Sequence, residues 1–301
     1  MNNTITLKTS LFILCLASFS SLTAQTIING FFPQKNEFTV ASSYSYKSYD
    51  NFFMGNTQTE TNPMNMGEIS SSVVSVYGEY GILDWLSTTV TLPYISMQNE
   101  TGVLDPVSQT DQVSGVQDLS MFFKARVLDA QINNASKIAV GGAAGVSVPV
   151  GGYEEAGILS LGNGATAIDG CGFIQINASR NLFVELQAAY SLRNNGDFEI
   201  PNATLFSAKL GYYNKWFYAH AKIGTQNSLD GLDIGTPEFA EAGGARALPE
   251  TEVDYTNFYF DLYVPVYKQS IGVSTGYTTN MSGKNYDRAS GFSVGLVYKV
   301  P

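Results

Sequence analysis

From Asp118 to Val127 the side chains change character at every step. Leu119, Met121, Phe123, Ala125 and Val127 share one face, while Asp118, Ser120, Phe122, Lys124 and Arg126 share the other, so three charges fall on one side and none on the opposite one. Successive side chains of an extended chain point to opposite faces, whereas a helix returns after about 3.6 residues, so the run is a strand between an apolar and a polar medium. The pattern recurs along the chain. Leu86, Thr88, Val90, Leu92 and Tyr94 form one face of a second strand, and Ile138, Val140, Gly142, Ala144, Val146 and Val148 one face of a third. Ile168 to Ile176 alternates with Asp169, Cys171, Phe173 and Gln175; Leu182 to Leu192 alternates with Glu185 and Gln187. Later runs oppose Phe206, Ala208 and Leu210 to Lys209, Phe217, Ala219 and Ala221 to His220 and Lys222, Phe258, Phe260 and Leu262 to Asp261, and Phe292, Val294 and Leu296 to Ser293 and Lys299. With weaker runs at 36–47, 70–80 and 268–279, twelve strands are expected.

The first residues read as an export signal. Lys8 gives a positive start, Leu11 to Phe19 an apolar stretch in which Cys15 is filler, and Leu22-Thr23-Ala24 a small-residue cleavage site before Gln25. Loss of residues 1–24 takes the net charge from −10 to −11 and leaves Cys171 as the sole cysteine, so no internal disulfide can form. After Gln25 no apolar run approaches the roughly 18 residues of a membrane helix. A mature chain that enters a membrane must therefore do so as a barrel.

The connections carry the same message. Numbered from a periplasmic N-terminus, the outer ones fall at about 48–69, 96–116, 150–164, 193–202, 226–252 and 280–287, and the inner ones at about 81–84, 129–137, 179–181, 213–215 and 265–267. Long and short alternate, as in outer-membrane barrels and unlike a soluble sandwich. Tyr80, Trp85, Tyr212, Trp216, Phe217 and Tyr298 sit near the short turns and Tyr46, Tyr94 and Tyr190 near the long loops, the placement of two interfacial girdles.

Several motifs, taken in order, resemble one family. Tyr80-Gly81-Ile82-Leu83-Asp84-Trp85-Leu86 running to Leu92-Pro93-Tyr94, Gly115-Val116-Gln117-Asp118-Leu119-Ser120 leading to Lys124, Gly145-Val146-Ser147-Val148-Pro149-Val150-Gly151, and Gly162-Asn163-Gly164 before Asp169 together resemble the meta-pathway phenol-degradation outer-membrane family. The resemblance spans about residues 70–300. It implies a barrel channel or transporter with no catalytic residues. One departure is the terminus Tyr298-Lys299-Val300-Pro301, where outer-membrane strands commonly end on an aromatic residue.

Composition narrows the chemistry. Charged residues make up 14% of the chain, against the roughly 25% usual in soluble domains. Sixteen basic residues against 26 acidic ones argue against a nucleic-acid partner, which needs cations for phosphates. Gly291-Phe292-Ser293-Val294-Gly295 has the form of a nucleophile elbow, but that motif needs a strand-to-helix turn with the acid and histidine downstream, and the only histidine, His220, lies upstream. A Ser-His pair on the barrel wall would need His220, which falls on a polar face with Lys222 and reads as a lumenal polar residue. One histidine, one mature cysteine and no clustered ligand spacing argue against a zinc site. Asp230, Asp233, Glu238, Glu241, Glu250, Glu252 and Asp254 crowd one outer loop; Asp230-Gly231-x-Asp233-x-Gly235 offers oxygen ligands for calcium, although a solvated acidic loop is the simpler reading.

The expected protein is thus all-β: a cleaved signal at 1–24, a periplasmic segment at 25–35, and an antiparallel transmembrane β-barrel of about twelve strands at 36–301, with short periplasmic turns and long extracellular loops. Its home is the outer membrane of a Gram-negative bacterium, and its partners are outer-membrane lipid, small solutes and the barrel assembly machinery, without cofactor or metal. The expected lumen lining is Asp118, Phe122, Lys124, Arg126, Asp169, Phe173, Glu185, Lys209, His220, Lys222, Tyr259 and Asp261, joined by Tyr213, Tyr218 and Tyr263. Its mixed charges fit structural cross-links and selectivity devices equally. Two functions follow from different classes: passive uptake of small molecules, aromatic or apolar ones included, or a non-transporting surface barrel that acts as adhesin or scaffold through its acidic loops. Ile27, Ile28, Phe31 and Phe32 suit a small gate at the periplasmic mouth; a full stopper would need more chain.

Overall fold

A computed structural model of the chain describes residues 28–300. The export signal and the start at Gln25 lie outside those residues. Twelve strands form one closed antiparallel barrel: β1 (Phe38–Tyr49), β2 (Ile69–Leu83), β3 (Leu86–Asn99), β4 (Asp118–Asn133), β5 (Ser136–Pro149), β6 (Thr166–Asn177), β7 (Leu182–Asn194), β8 (Ala203–Tyr213), β9 (Tyr218–Ser228), β10 (Asp254–Tyr267), β11 (Ile271–Lys284) and β12 (Ser290–Val300). Each pairs with its sequence neighbour. The ring closes where β1 meets β12, from Phe38 opposite Val300 to Ser48 opposite Ser290. Closure removes the edges that an open sheet would present to solvent or to other chains.

Burial follows the alternation, with the apolar face outward. On β7, Leu182, Val184 and Leu186 are exposed while Phe183, Glu185 and Gln187 are buried; on β12, Phe292, Val294, Leu296 and Tyr298 are exposed while Val297 and Lys299 are buried. A water-soluble barrel would reverse this assignment. Val and Leu side by side on the outside, with Lys and Glu on the inside, are stable only if the outer medium is apolar. Tyr80, Trp85, Trp216 and Tyr298 project outward near the short-turn end, and Tyr94 and Tyr190 near the other.

The short turns are capped locally. Asn214 Oδ1 accepts the Trp216 and Phe217 N–H groups at 2.7 and 3.0 Å, and Asn133 Oδ1 accepts that of Ala135 at 2.9 Å. The second turn corrects the expected connection at 129–137: β4 and β5 continue to Asn133 and from Ser136. Register shifts between Arg126 and Leu128 and between Gln131 and Asn133 break the alternation there, which hides the strand in the sequence. The rung to β3 ends where the Arg126 N–H meets Trp85 O at 2.8 Å.

The outer loops form a cap. Gln112–Val116 extends the β3 ladder before β4 begins, and Phe52–Met54, Thr57–Thr59 and Tyr286–Asp287 form a small separate sheet. The acidic loop folds into a short helix, Pro237–Glu241, capped by Thr236, then a 3-10 stretch, Gly244–Glu250.

Candidate functional site

The segment before β1 turns back into the barrel. Asn36 takes a left-handed conformation (φ 67°) and donates to Gly81 O at 2.7 Å, and the six residues Ile28 to Pro33 are all buried within the ring. Backbone groups of this segment find side-chain partners on the wall. Lys124 Nζ donates to Asn29 O at 3.0 Å, Phe31 O at 2.6 Å and Glu79 Oε1 at 2.7 Å. The Gly30 N–H donates to Glu185 Oε2 at 2.7 Å, and Gln187 Nε2 to Ile28 O at 2.7 Å. A Cβ at position 30 would lie 2.3 Å from the Gln175 amide and 2.6 Å from Glu185 Oε2, so any larger residue must push these side-chain ends away from the segment.

Two aromatic clusters seat the same segment. Phe31 meets Phe183 edge-on with ring centres 5.1 Å apart and packs with Tyr218 and Tyr263; Phe32 and Ile28 cluster with Phe122, Cys171 and Phe173. The Lys124 ammonium and the Arg126 guanidinium lie 4.6 and 5.2 Å from the Phe32 ring centre. The segment therefore occupies the interior itself, not only its mouth. Backbone bonds to lysine, glutamate and glutamine side chains of the wall hold these six residues inside the ring.

Several charges on the wall are paired across strands. Lys209 sits opposite Glu185 in the β7–β8 register and bonds Oε1 at 2.8 Å; His220 sits opposite Asp261 on β10, with Nε2 3.3 Å from Oδ2. Lys124 reaches Glu79 across β3, past the small residue Ser87. Lys124, Glu185 and Lys209 are at most 2% exposed. Buried pairs of this kind add little net stability, but removing one partner strands the other. Asp118 turns away from this group and accepts the Tyr153 hydroxyl at 2.5 Å, while Phe122, Asp169, Phe173 and Tyr259 are buried on the inward faces of their strands. The structure thus splits the expected lining. Lys124, Arg126, Phe122, Phe173 and Glu185 meet the N-terminal segment, His220, Lys222, Tyr259 and Asp261 stand on the β9–β10 wall, and Asp118 and Asp169 face a chamber beyond them.

That chamber, about 660 Å³, lies on the outer side of the docked segment. Its floor is Ile28 and Asn29; its β1–β3 wall carries Ser43, Ser45, Ser71, Ser75, Thr89 and Thr91; its ceiling is Ile158, Leu161, Leu248 and Pro249. The ceiling loop is held by a buried carboxylate. Asp105 Oδ2 accepts the N–H groups of Ile158 and Leu159 at 2.6 and 2.9 Å, while Oδ1 accepts those of Val107 and Ser108. Leu159 is fully buried with Tyr49, Met66, Ile69 and Ala289. Arg193 lines the opposite wall, fixed by Ser191 Oγ and Gln226 Oε1. Sequence reading missed Asp105, Arg193, Leu159 and Leu161. Loop residues have no periodicity, and Arg193 falls where the expected loop 193–202 begins.

The remaining motifs resolve into structure. Gly291 to Gly295 lies wholly within β12, with no turn at Ser293. Among the described residues no three His, Cys, Asp or Glu side chains converge as metal ligands. In the acidic loop Asp233 and Glu252 both bind Lys284, at 3.1 and 2.6 Å.

No model of a known protein family matches the chain, and no curated protein matches it in sequence. Solved structures do match. The COG4313 outer membrane channel from Pseudomonas putida F1 superimposes with a TM-score of 0.70 at 14% identity, covering 89% of this chain and 97% of that one. The fold is that of an outer-membrane β-barrel. The NanC porin is similar at a TM-score of 0.51 and 10% identity, covering 87% of this chain and all of the other. The expected phenol-degradation family is not among these matches by name.

Proposed function

We propose that the protein is a gated outer-membrane channel for passive uptake of small solutes, aromatic and apolar ones among them, with Ile28–Pro33 as its gate. The carrying observation is a chamber of about 660 Å³ that lies between a docked N-terminal segment and an inward-folded loop. That volume is within the range of small-molecule sites. A hydroxyl wall opposite an apolar ceiling suits a solute with an apolar or aromatic body and a few polar substituents. In this reading the chain is exported by its cleaved signal and inserted into a Gram-negative outer membrane by the barrel assembly machinery. The test is flux of an uncharged aromatic alcohol into proteoliposomes. Deleting residues 28–33 raises flux at least tenfold while the barrel stays heat-modifiable; flux at the level of empty liposomes for both proteins refutes the channel. The ordered outer cap supports a second reading, a surface scaffold, and a deletion variant that stays silent would favour it.

A further inference from the structure

The β8–β11 wall leaves polar groups unsatisfied around one cation. Lys222 is 3% exposed, and its ammonium lies 4.1 Å from the Tyr259 ring centre, with no carboxylate within ion-pair distance among the described residues. The register puts Lys209 directly opposite it on β8, a like-charge pair that is ordinarily destabilising. The nearby acids are engaged elsewhere. Glu185 binds Lys209, Gln187 and the Gly30 N–H, and Asp261 faces His220.

Five buried side-chain atoms lack a hydrogen-bond partner among the described residues, and four of them belong to neighbours of Lys222. Ser207 Oγ and Asn257 Oδ1 flank Gly224, the next inward position on the Lys222 strand; His220 Nδ1 is at the preceding one; Thr278 Oγ1 lies one strand beyond Tyr259. Gly224 puts no side chain between Ser207 and Asn257 on the inward face. A buried ammonium without an acceptor is strongly disfavoured, and so is each orphaned hydroxyl or amide. Together they define a niche that is complete only with an occupant.

We infer that this niche binds a small inorganic monoanion of the halide class, with Lys222 Nζ as its principal donor. The Ser207 hydroxyl, beside Gly224 in the register, turns its proton to it. A half-turn of the Asn257 amide presents its NH2 group as well, with Tyr259 Oη donating to the oxygen. His220 Nδ1, an acceptor when Nε2–H points to Asp261, accepts a hydrogen bond from a water that accompanies the ion. Glu185 and Asp261 nearby repel a dianion about twice as strongly as a monoanion, which limits the occupant to a single charge. The site is independent of whether the barrel conducts.

Bromide in place of chloride tests it. Crystals of the full mature chain grown in sodium bromide are expected to show an anomalous peak within hydrogen-bond distance of Lys222 Nζ, absent from Lys222→Met. In solution, bromide NMR line broadening should fall at least tenfold in that variant. Should Lys222→Met fail to fold, Ser207→Ala is expected to lower peak occupancy and broadening at least twofold. A niche with identical water density in chloride and bromide overturns the proposal, and so does a peak that survives in Lys222→Met, which marks an adventitious ion only.

Discussion

Lys124 links barrel stability to the docking of the N-terminal segment, and the two contributions separate by mutation. Lys124→Met removes three bonds at once: the ion pair to Glu79 at 2.7 Å and the donations to Asn29 O and Phe31 O. Leaving Glu79 charged and unpaired in the interior costs about 3–5 kcal/mol of barrel stability. The two carbonyl bonds, each to a charged donor, contribute about 1.5–3 kcal/mol apiece to docking. At the lower end the segment loses about 3 kcal/mol, on the order of a hundredfold in its opening equilibrium at about 1.4 kcal/mol per decade. Cys171, packed with Ile28 and Phe32, reports that opening through its rate of labelling by a water-soluble maleimide. In Lys124→Met both thermal stability and protection fall. In Glu79→Gln/Lys124→Met no charge is stranded, so most of the barrel stability returns while labelling stays about a hundredfold faster than in wild type. A folded double variant that labels at the wild-type rate would refute the reasoning, because Lys124 would then not hold the segment.

Other positions are equally specific. Gly30→Ala places a methyl 2.3 Å from the Gln175 amide, so Cys171 labelling should accelerate at least tenfold with an unchanged unfolding temperature. Asp105→Ala deprives Ile158 and Leu159 of their acceptor at a cost of about 1.5–3 kcal/mol per bond, and hydrogen exchange across residues 150–165 should rise without loss of the barrel. Met121→Arg sets a charge on the outward face of β4 and should cost about 2–4 kcal/mol near the midplane, seen as failed assembly into liposomes. Burial first, and then the hydrogen bond to Asp118, push the Tyr153 phenol well above its ordinary value. The folded form keeps the proton that the unfolded one releases near pH ~10, so the loop's stability is complete below that pH and declines above it. Protection of residues 150–165 followed from pH 8 to 11 checks this, and Tyr153→Phe should remove the dependence.

What the sequence revealed and what it hid have one physical cause. A strand between apolar and polar media must alternate, so the faces of β4, β6, β7 and β12 are readable without coordinates. Pairs set by register, such as Glu185 with Lys209 and His220 with Asp261, follow once neighbouring strands are aligned. Contacts inside the lumen do not follow from that pattern. Lys124 reaches Glu79 over an intervening strand, and Ile28–Phe32 is an apolar patch whose depth depends on which wall groups accept its backbone. Leu159 and Leu161 are buried because Asp105, more than fifty residues away, fixes their loop.

The location of Ile28–Pro33 also constrains how the molecule is made. The segment leads directly into β1, one side of the seam where the ring closes, yet its anchors Lys124 and Glu185 stand on β4 and β7. It must be laid against those strands while the sheet is still open, or thread the narrow inner mouth after β12 has joined β1. In the first order of events the segment is a template on which the curved sheet wraps, and a chain lacking it closes around an empty ring.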